Sequence, residues 1–203
     1  MSTKEKDETK ARIIAAAKEE FSQYGFEKSS LRRISSKANC TTGAVYFFFK
    51  DKDELFCEIA NEVLEPMLKL LSEHIELDSE NVIGSFEKNY QDEIELAEKL
   101  VDILYSHYEE ALILLTNSSG SSLENVPDII VEKIESEYGQ LAKLYAKKEG
   151  KTVDEYMVHW LSHLHVEAFI HLVIHEKDIN LAKKRIRKII VFLVKGWYEC
   201  VLG

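Results

Sequence analysis

Apolar residues recur three and four positions apart along almost the whole chain, with polar residues between them, and no strong run alternates with a period of two. The pattern predicts helices over about 4–24, 31–38, 42–48, 51–74, 81–104, 106–116, 127–148, 153–176 and 180–202, an all-α fold. Ile13, Ile14, Ala17 and Phe21 line one side of the first, and Gly25 supplies a left-handed stop. Ser29 or Ser30 caps the second helix, and Asn39 tolerates the left-handed turn that follows it. Thr41 caps the third. Asp51-Lys52-Asp53-Glu54 opens the fourth as a capping box, and Pro66 predicts a kink or break within it. Pro127 suits a helix start, and the run Asn117–Ser122 reads as a flexible loop.

Composition narrows the class. Apolar residues make up 45% of the 203, and Gly plus Pro only 10 of them, which excludes a disordered chain and a turn-rich sandwich. Cys40, Cys57 and Cys200 are odd in number and far apart, so no disulfide framework or CxxC metal motif is expected, as suits a reducing cytoplasm. No apolar run approaches the ~18 residues of a membrane span, and the first residues have no apolar core of a signal peptide.

Charge adds a functional direction. The net charge of −10 taken whole argues against a polyanionic partner. Residues 1–52 nevertheless hold 11 basic and 7 acidic side chains, whereas 53–203 hold 15 and 29. Between 28 and 52, Lys28, Arg32, Arg33, Lys37, Lys50 and Lys52 face Asp51 alone. A basic head on an acidic body presents one face to nucleic acid while the rest is repelled.

The local pattern agrees. Two short helices joined by a tight turn, the second opening on Thr41, Thr42, Gly43 and Ala44, form a helix-turn-helix whose second helix is small and polar enough at its start to enter a major groove. Ile34, Ala38, Val45 and Phe49 are placed to lock it to the first helix. Ile13-Ile14-Ala15-Ala16-Ala17, Phe21, Tyr24-Gly25-Phe26, Ser29-Ser30-Leu31-Arg32-Arg33-Ile34 and Thr42 through Leu55 together resemble the DNA-binding domain of the tetracycline-repressor-like (TetR) family of bacterial regulators. The resemblance covers about a quarter of the chain. Asn39 stands where the family usually has Gly, and Phe47 and Phe48 where a polar pair is common.

The resemblance implies a three-helix DNA-binding head, here residues 1–50, and a helical effector-binding and dimerisation body, 51–203. It implies an effector-responsive transcriptional regulator, a repressor released from a double-stranded operator by a small molecule. DNA contacts are expected from Ser30, Arg32, Thr41, Thr42, Gly43, Ala44, Tyr46, Phe47 and Lys52. Arg32 is to reach a base or phosphate, and Lys52 or its neighbouring N–H a phosphate at a helix start. Thr42 and Ala44 suit thymine methyls. Ser30 is to cap its helix and meet phosphate at once. Tyr46 is expected chiefly in the core, as are Phe48 and Phe49.

The body shows no phosphate loop, nucleophile elbow or HExxH, so neither enzyme chemistry nor a cofactor or metal is expected. Aromatics at helical spacing are ordinarily core, and the resemblance implies that some also line an effector cavity. Tyr90, Tyr105, Tyr108, Tyr138, Trp160, His163 and Glu167 are the candidates. The segment 153–175 is apolar nearly all round, and 180–202 is basic in its first half and apolar in its second; these two helices are the expected homodimer interface.

His159, His163, Glu167, His171 and His175 stand four apart, one slowly winding stripe. A metal chelate, an effector contact and a hydrogen-bonded structural seam are the competing readings, the seam foremost. The alternative to a regulator, a metal-binding or enzymatic helical protein, would rest on this helix. Glu167 is expected at least partly buried, paired with His163, His171 or a base from 183–188.

Overall fold

The computed structural model describes residues 3–80 and 86–202, with the backbone alone for 75–80, 86–90 and 198. Among the described residues the helices are α1 (Thr3–Lys28), α2 (Leu31–Lys37), α3 (Thr42–Phe48), α4 (Lys52–Glu80), α5 (Phe86–Ser106), α6 (Tyr108–Thr116), α7 (Val126–Glu149), α8 (Glu155–His175) and α9 (Ile179–Val201). The one extended pairing among them is a single antiparallel bridge, Val153 to Leu202. Residues 81–85, the expected start of the fifth helix, lie outside the described residues.

The local signals act as their chemistry predicts. Gly25 sits at φ 71°, where α1 breaks before its last residues, and Asn39 takes φ 50° in the turn after α2. Thr41 accepts the Ala44 N–H at 3.1 Å, and Asp51 accepts that of Glu54 at 2.8 Å. Glu54 reaches back one residue further than a capping box requires, to the Lys50 N–H. Ser30 holds the N-cap position of α2, but its hydroxyl makes no capping bond.

Two expectations are corrected. Of the kink or break expected at Pro66, the break does not occur: α4 runs from Lys52 to Glu80 with Pro66 inside it. The ring removes one i→i−4 bond, yet Val63, Leu64 and Met67 around it are buried, and that packing outweighs the lost bond. The polar run 117–122 is anchored rather than free. Asn117 O accepts the Phe26 N–H at 2.8 Å, Asp53 accepts the Ser122 N–H at 2.8 Å, and Ser118 and Ser121 are buried.

The chain forms two compact units, Met1–Glu65 with His107–Asn125, and Pro66–Ser106 with Val126–Gly203. The cut expected at residue 50 was drawn by expected role; packing joins the start of α4, α6 and the following loop to the helix-turn-helix. The core of this first unit joins Ile13, Ala17, Phe21, Ile34, Val45, Leu55, Phe56 and Ile59, all fully buried. Phe21, Phe26 and Phe56 meet at ring separations of 5.2–6.1 Å. Each such ring contributes about 1.5–3 kcal/mol by burial.

In the second unit the buried stripe of α9, Ala182, Ile186, Ile190 and Leu193, packs with Ile94, Ala97 and Val101 of α5. Its end, Trp197 and Val201, packs with Ala142 and Ala146 of α7 and with Val158 and Leu161 of α8. Asp154 and Asp178 cap α8 and α9 through their carboxylates. Three of the five bases at the start of α9 pair with neighbouring acids: Lys183 with Asp102, Arg187 with Glu98 and Arg185 with Glu176. No described helix is long and apolar enough to cross a membrane.

Candidate nucleic-acid interface

The apolar stripe of α1 contains one carboxylate, Glu20, fully buried. A buried charge is costly unless paired, and Glu20 is paired three ways. Arg33 Nε donates to its Oε1 at 2.5 Å, the Ser30 N–H donates to the same oxygen at 3.2 Å, and Lys37 Nζ lies 3.7 Å from Oε2. Arg33 also donates to Lys28 O at 2.6 Å and lies over the Tyr24 ring at 4.6 Å. Glu20 and Arg33 therefore fasten the start of α2 to α1. Their signal is legible: a Glu on the stripe of Ile13, Ala17 and Phe21 demands a cation.

The turn is closed by backbone and hydroxyl bonds. Cys40 N–H donates to Ser35 O at 3.0 Å, and the Ser35 and Thr42 hydroxyls lie 3.2 Å apart. Val45 and Phe49, one turn apart, point into the core, with exposures of 0% and 2%. The rotation of about 100° per residue then turns Tyr46 and Phe47 outward. They are 56% and 64% exposed, so the expectation that Tyr46 is mainly a core residue is corrected. Phe48 is half-buried, and its ring meets that of Phe47 edge-on at 5.0 Å.

The outward face of α3 thus carries Gly43, Tyr46 and Phe47, with Thr41 and Lys50 exposed at its ends and Thr42 and Ala44 half-buried beside them. Arg32 is exposed on α2 and has no partner among the described residues. Ser30 is half-buried, with its hydroxyl unengaged among the described residues. Lys6 Nζ stands 5.3 Å from the centre of the Phe47 ring, adding a cation to this face.

Lys52, expected to meet a phosphate itself or through its neighbouring N–H, has its ammonium engaged within the head. Its ammonium donates to Phe26 O at 2.6 Å, approaches Glu27 O at 3.3 Å and Ser29 O at 3.4 Å, and lies 4.2 Å from the Phe26 ring centre. Burial pushes it below the ordinary lysine range, with the charge of Glu27 opposing. The carbonyls ending α1 are the negative end of a helix, and they hold the cation, although Phe26 O also accepts the Ser29 N–H and hydroxyl.

Of the residues proposed for an effector, two, Tyr105 and Tyr138, are half-buried in the second unit and three are exposed on α8. The Tyr105 hydroxyl donates to Glu176 O at 2.6 Å, and the Tyr138 ring lies 5.1 Å from His165 and 5.9 Å from Trp197. Tyr108 opens α6, in the first unit. The Tyr90 side chain lies outside the described residues. Trp160, His163 and Glu167 are exposed on α8.

Glu167 is exposed, which corrects the expectation of burial and of a partner for it within the chain. The core face of α8 is formed by Val158, Leu161, Ser162, His165, Val166, Leu172 and Val173, and residue 167 lies opposite it. Glu167 has no partner among the described residues, and Lys183, Arg185 and Arg187 are already paired elsewhere. The buried histidine is instead His165, outside the four-residue ladder, with Nδ1 2.7 Å from Leu161 O. Burial lowers its pKa.

One cluster of metal-ligand type lies in the first unit. Glu62, His107 and Glu110 each offer an atom within 4.8 Å of the others. Lys18 bonds Glu110 and stands 3.5 Å from Glu62, so an ammonium already supplies the positive charge there.

A basic surface, fastened by the Glu20–Arg33 pair and with the second helix facing outward, has the architecture of a helix-turn-helix. Residues 13–59 match the family model described as bacterial regulatory proteins, tetR family. The HTH-type transcriptional repressor Rv1474c of Mycobacterium tuberculosis is 35% identical over 60 residues, covering 30% of this chain and 32% of that one. The chain spans about a third of the length of the first curated relatives it matches. A transcriptional regulator of the TerR/AcrR family from Aquifex aeolicus VF5 is 26% identical, with a TM-score of 0.55 over 91% of this chain and 99% of that one. The fold is shared with FadR of Bacillus subtilis, solved in complex with stearoyl-CoA, at 14% identity and a TM-score of 0.54, covering 92% and 98%.

Proposed function

We propose that the protein is a transcriptional repressor that binds double-stranded DNA through α2 and α3 and is released by a small molecule held in its second unit. The carrying observation is the outward face of α3, Gly43, Tyr46 and Phe47, exposed beside an unpaired Arg32 on a head whose other cations are largely tied down. The match of residues 13–59 and the naming of its relatives as repressors support the same reading over a helical enzyme. Arg32 reaches a base edge or phosphate, Lys50 and the Ser30 hydroxyl meet phosphate, and Phe47 with Thr42 and Ala44 packs on thymine methyls. Lys52 serves by holding α1, α2 and α4 together.

The working form in this reading is a homodimer. On α8, Tyr156, Trp160 and Ile174 are 71%, 47% and 40% exposed, and on α9 Phe192 is 68% exposed, an apolar area that a second copy would cover. Two α3 helices then enter major grooves about 34–36 Å apart, or a multiple of that turn length. The effector acts by changing this separation through α4. Selection of bound duplexes from a random pool, run at two salt concentrations, tests the DNA arm. Enrichment of a palindrome with a salt-dependent affinity is the expected result; no enrichment above random sequence would refute it. A thermal-shift screen for molecules that also release the selected duplex tests the effector arm.

A further inference from the structure

His159 and His163 lie one turn apart on the exposed face of α8, with ring centroids 4.7 Å apart. Two imidazoles at i and i+4 are the spacing with which a helix chelates a transition metal ion. The backbone beneath them is set, because Asp154 caps α8 by accepting the Met157 N–H at 3.2 Å. The ordering entropy of bringing two ligands to one turn is therefore already met by folding. Neither ring contributes to the core, and neither is needed to satisfy a buried group.

A third residue gives the pair its direction. Glu135 of α7 places Oε2 2.8 Å from His159 Nδ1. With the proton on Nδ1 donated to the carboxylate, the lone pair of His159 falls on Nε2. This carboxylate–histidine arrangement is how proteins fix the tautomer and raise the basicity of an imidazole that binds a metal. His171 and His175 repeat the spacing, with centroids 4.3 Å apart, but no carboxylate contacts them among the described residues.

We propose that His159 and His163 bind a divalent first-row transition metal ion of the zinc, nickel or copper class, with Glu135 as the positioning residue behind His159. Imidazole nitrogens select these ions over calcium and magnesium, which take oxygen. The two rings and solvent share the coordination sphere, so binding is reversible, not the closed four-ligand kind that folds a zinc finger. The site lies on the second unit and stands independently of the DNA-binding and effector readings. It shares the side of α8 that carries Tyr156, Trp160 and Ile174, so in the dimer reading it borders the interface, open to solvent at its Glu135 edge.

The test is titration of the full, untagged chain with zinc chloride, by calorimetry and by equilibrium dialysis with metal analysis. Cobalt(II) absorption serves as a spectroscopic reading of nitrogen ligation. His159→Ala/His163→Ala is expected to remove one bound ion and to weaken the cobalt band, while the far-UV dichroism stays unchanged, since both rings are exposed. His171→Ala/His175→Ala is expected to retain that ion. Glu135→Gln is expected to weaken it about 10–100-fold, as loss of a carboxylate behind a metal-bound imidazole does. Unaltered zinc stoichiometry in His159→Ala/His163→Ala would overturn the site. A loss that follows His171 and His175 instead would place the metal elsewhere and overturn it equally. Glu135→Gln binding like the parent would overturn its positioning role.

Discussion

Replacing Lys52 by Met separates two roles that a lysine at this position can have. Met keeps much of the apolar stem and removes the ammonium. The loss is chiefly one charge-assisted hydrogen bond, the 2.6 Å contact to Phe26 O, because the Glu27 and Ser29 carbonyls at 3.3 and 3.4 Å are at the limit of bonding. Such a bond contributes about 1.5–3 kcal/mol, and a cation at a helix C-terminus about 0.3–1 kcal/mol more. Desolvation of the ammonium, which lowers its pKa, offsets part of this, as does the solvent that still reaches a half-buried group. The net destabilisation is about 2 kcal/mol, read as a lower urea midpoint of the first unit by circular dichroism. On DNA, in conditions where both proteins are folded, the dependence of log affinity on log salt should keep the parent's slope. A phosphate-bound lysine would instead lower that slope by about 0.9 when removed. A variant with an unchanged urea midpoint and a slope reduced by that amount would refute the carbonyl assignment and restore Lys52 to the DNA backbone.

Arg32→Ala should leave the fold intact, since Arg32 pairs with nothing among the described residues, and should weaken binding to the selected duplex about 10-fold or more, the effect of one good base or phosphate contact; parent-like affinity in a gel-shift titration would move the contact surface elsewhere. His165 is buried with a lowered pKa, so the unfolded chain binds its proton more readily than the folded one. Stability should therefore be full above the ordinary imidazole value of about 6.5 and fall as the pH drops below it, toward the lower folded value. His165→Phe should flatten that part of a urea-midpoint series, and an equally steep series would show that another group carries the loss. Phe192→Glu puts a charge on the exposed apolar face of α9, and sedimentation should show the dimer dissociating at concentrations where the parent holds together.

Helix positions and their ends were legible because they are local. Thr41, Asp51, Gly25 and Asn39 act on backbone groups within four residues, and a stripe such as Ile13, Ala17 and Phe21 needs only the helical period. The outward residues of α3 were legible in part for the same reason, since Gly43 and Phe47 lie opposite Val45 and Phe49 on one short helix. Tyr46 was misjudged because an aromatic ring at the edge of a core stripe takes either side, and only the packing of α2 against α3 decides which. The tertiary structure alone decided where the charges go. Glu20 finds Arg33 thirteen residues on, Lys52 finds the carbonyls of Phe26 across the head, and the bases of α9 find Asp102 and Glu98 on α5 rather than Glu167. A charge is satisfied by whichever partner folding brings within hydrogen-bond reach, and sequence spacing has no memory of that distance. The same reason separates the histidines: a period of four put five residues on one stripe, but which side of α8 faces the core was set by the neighbours of Leu161 and Val173, and it left the stripe outside and His165 within.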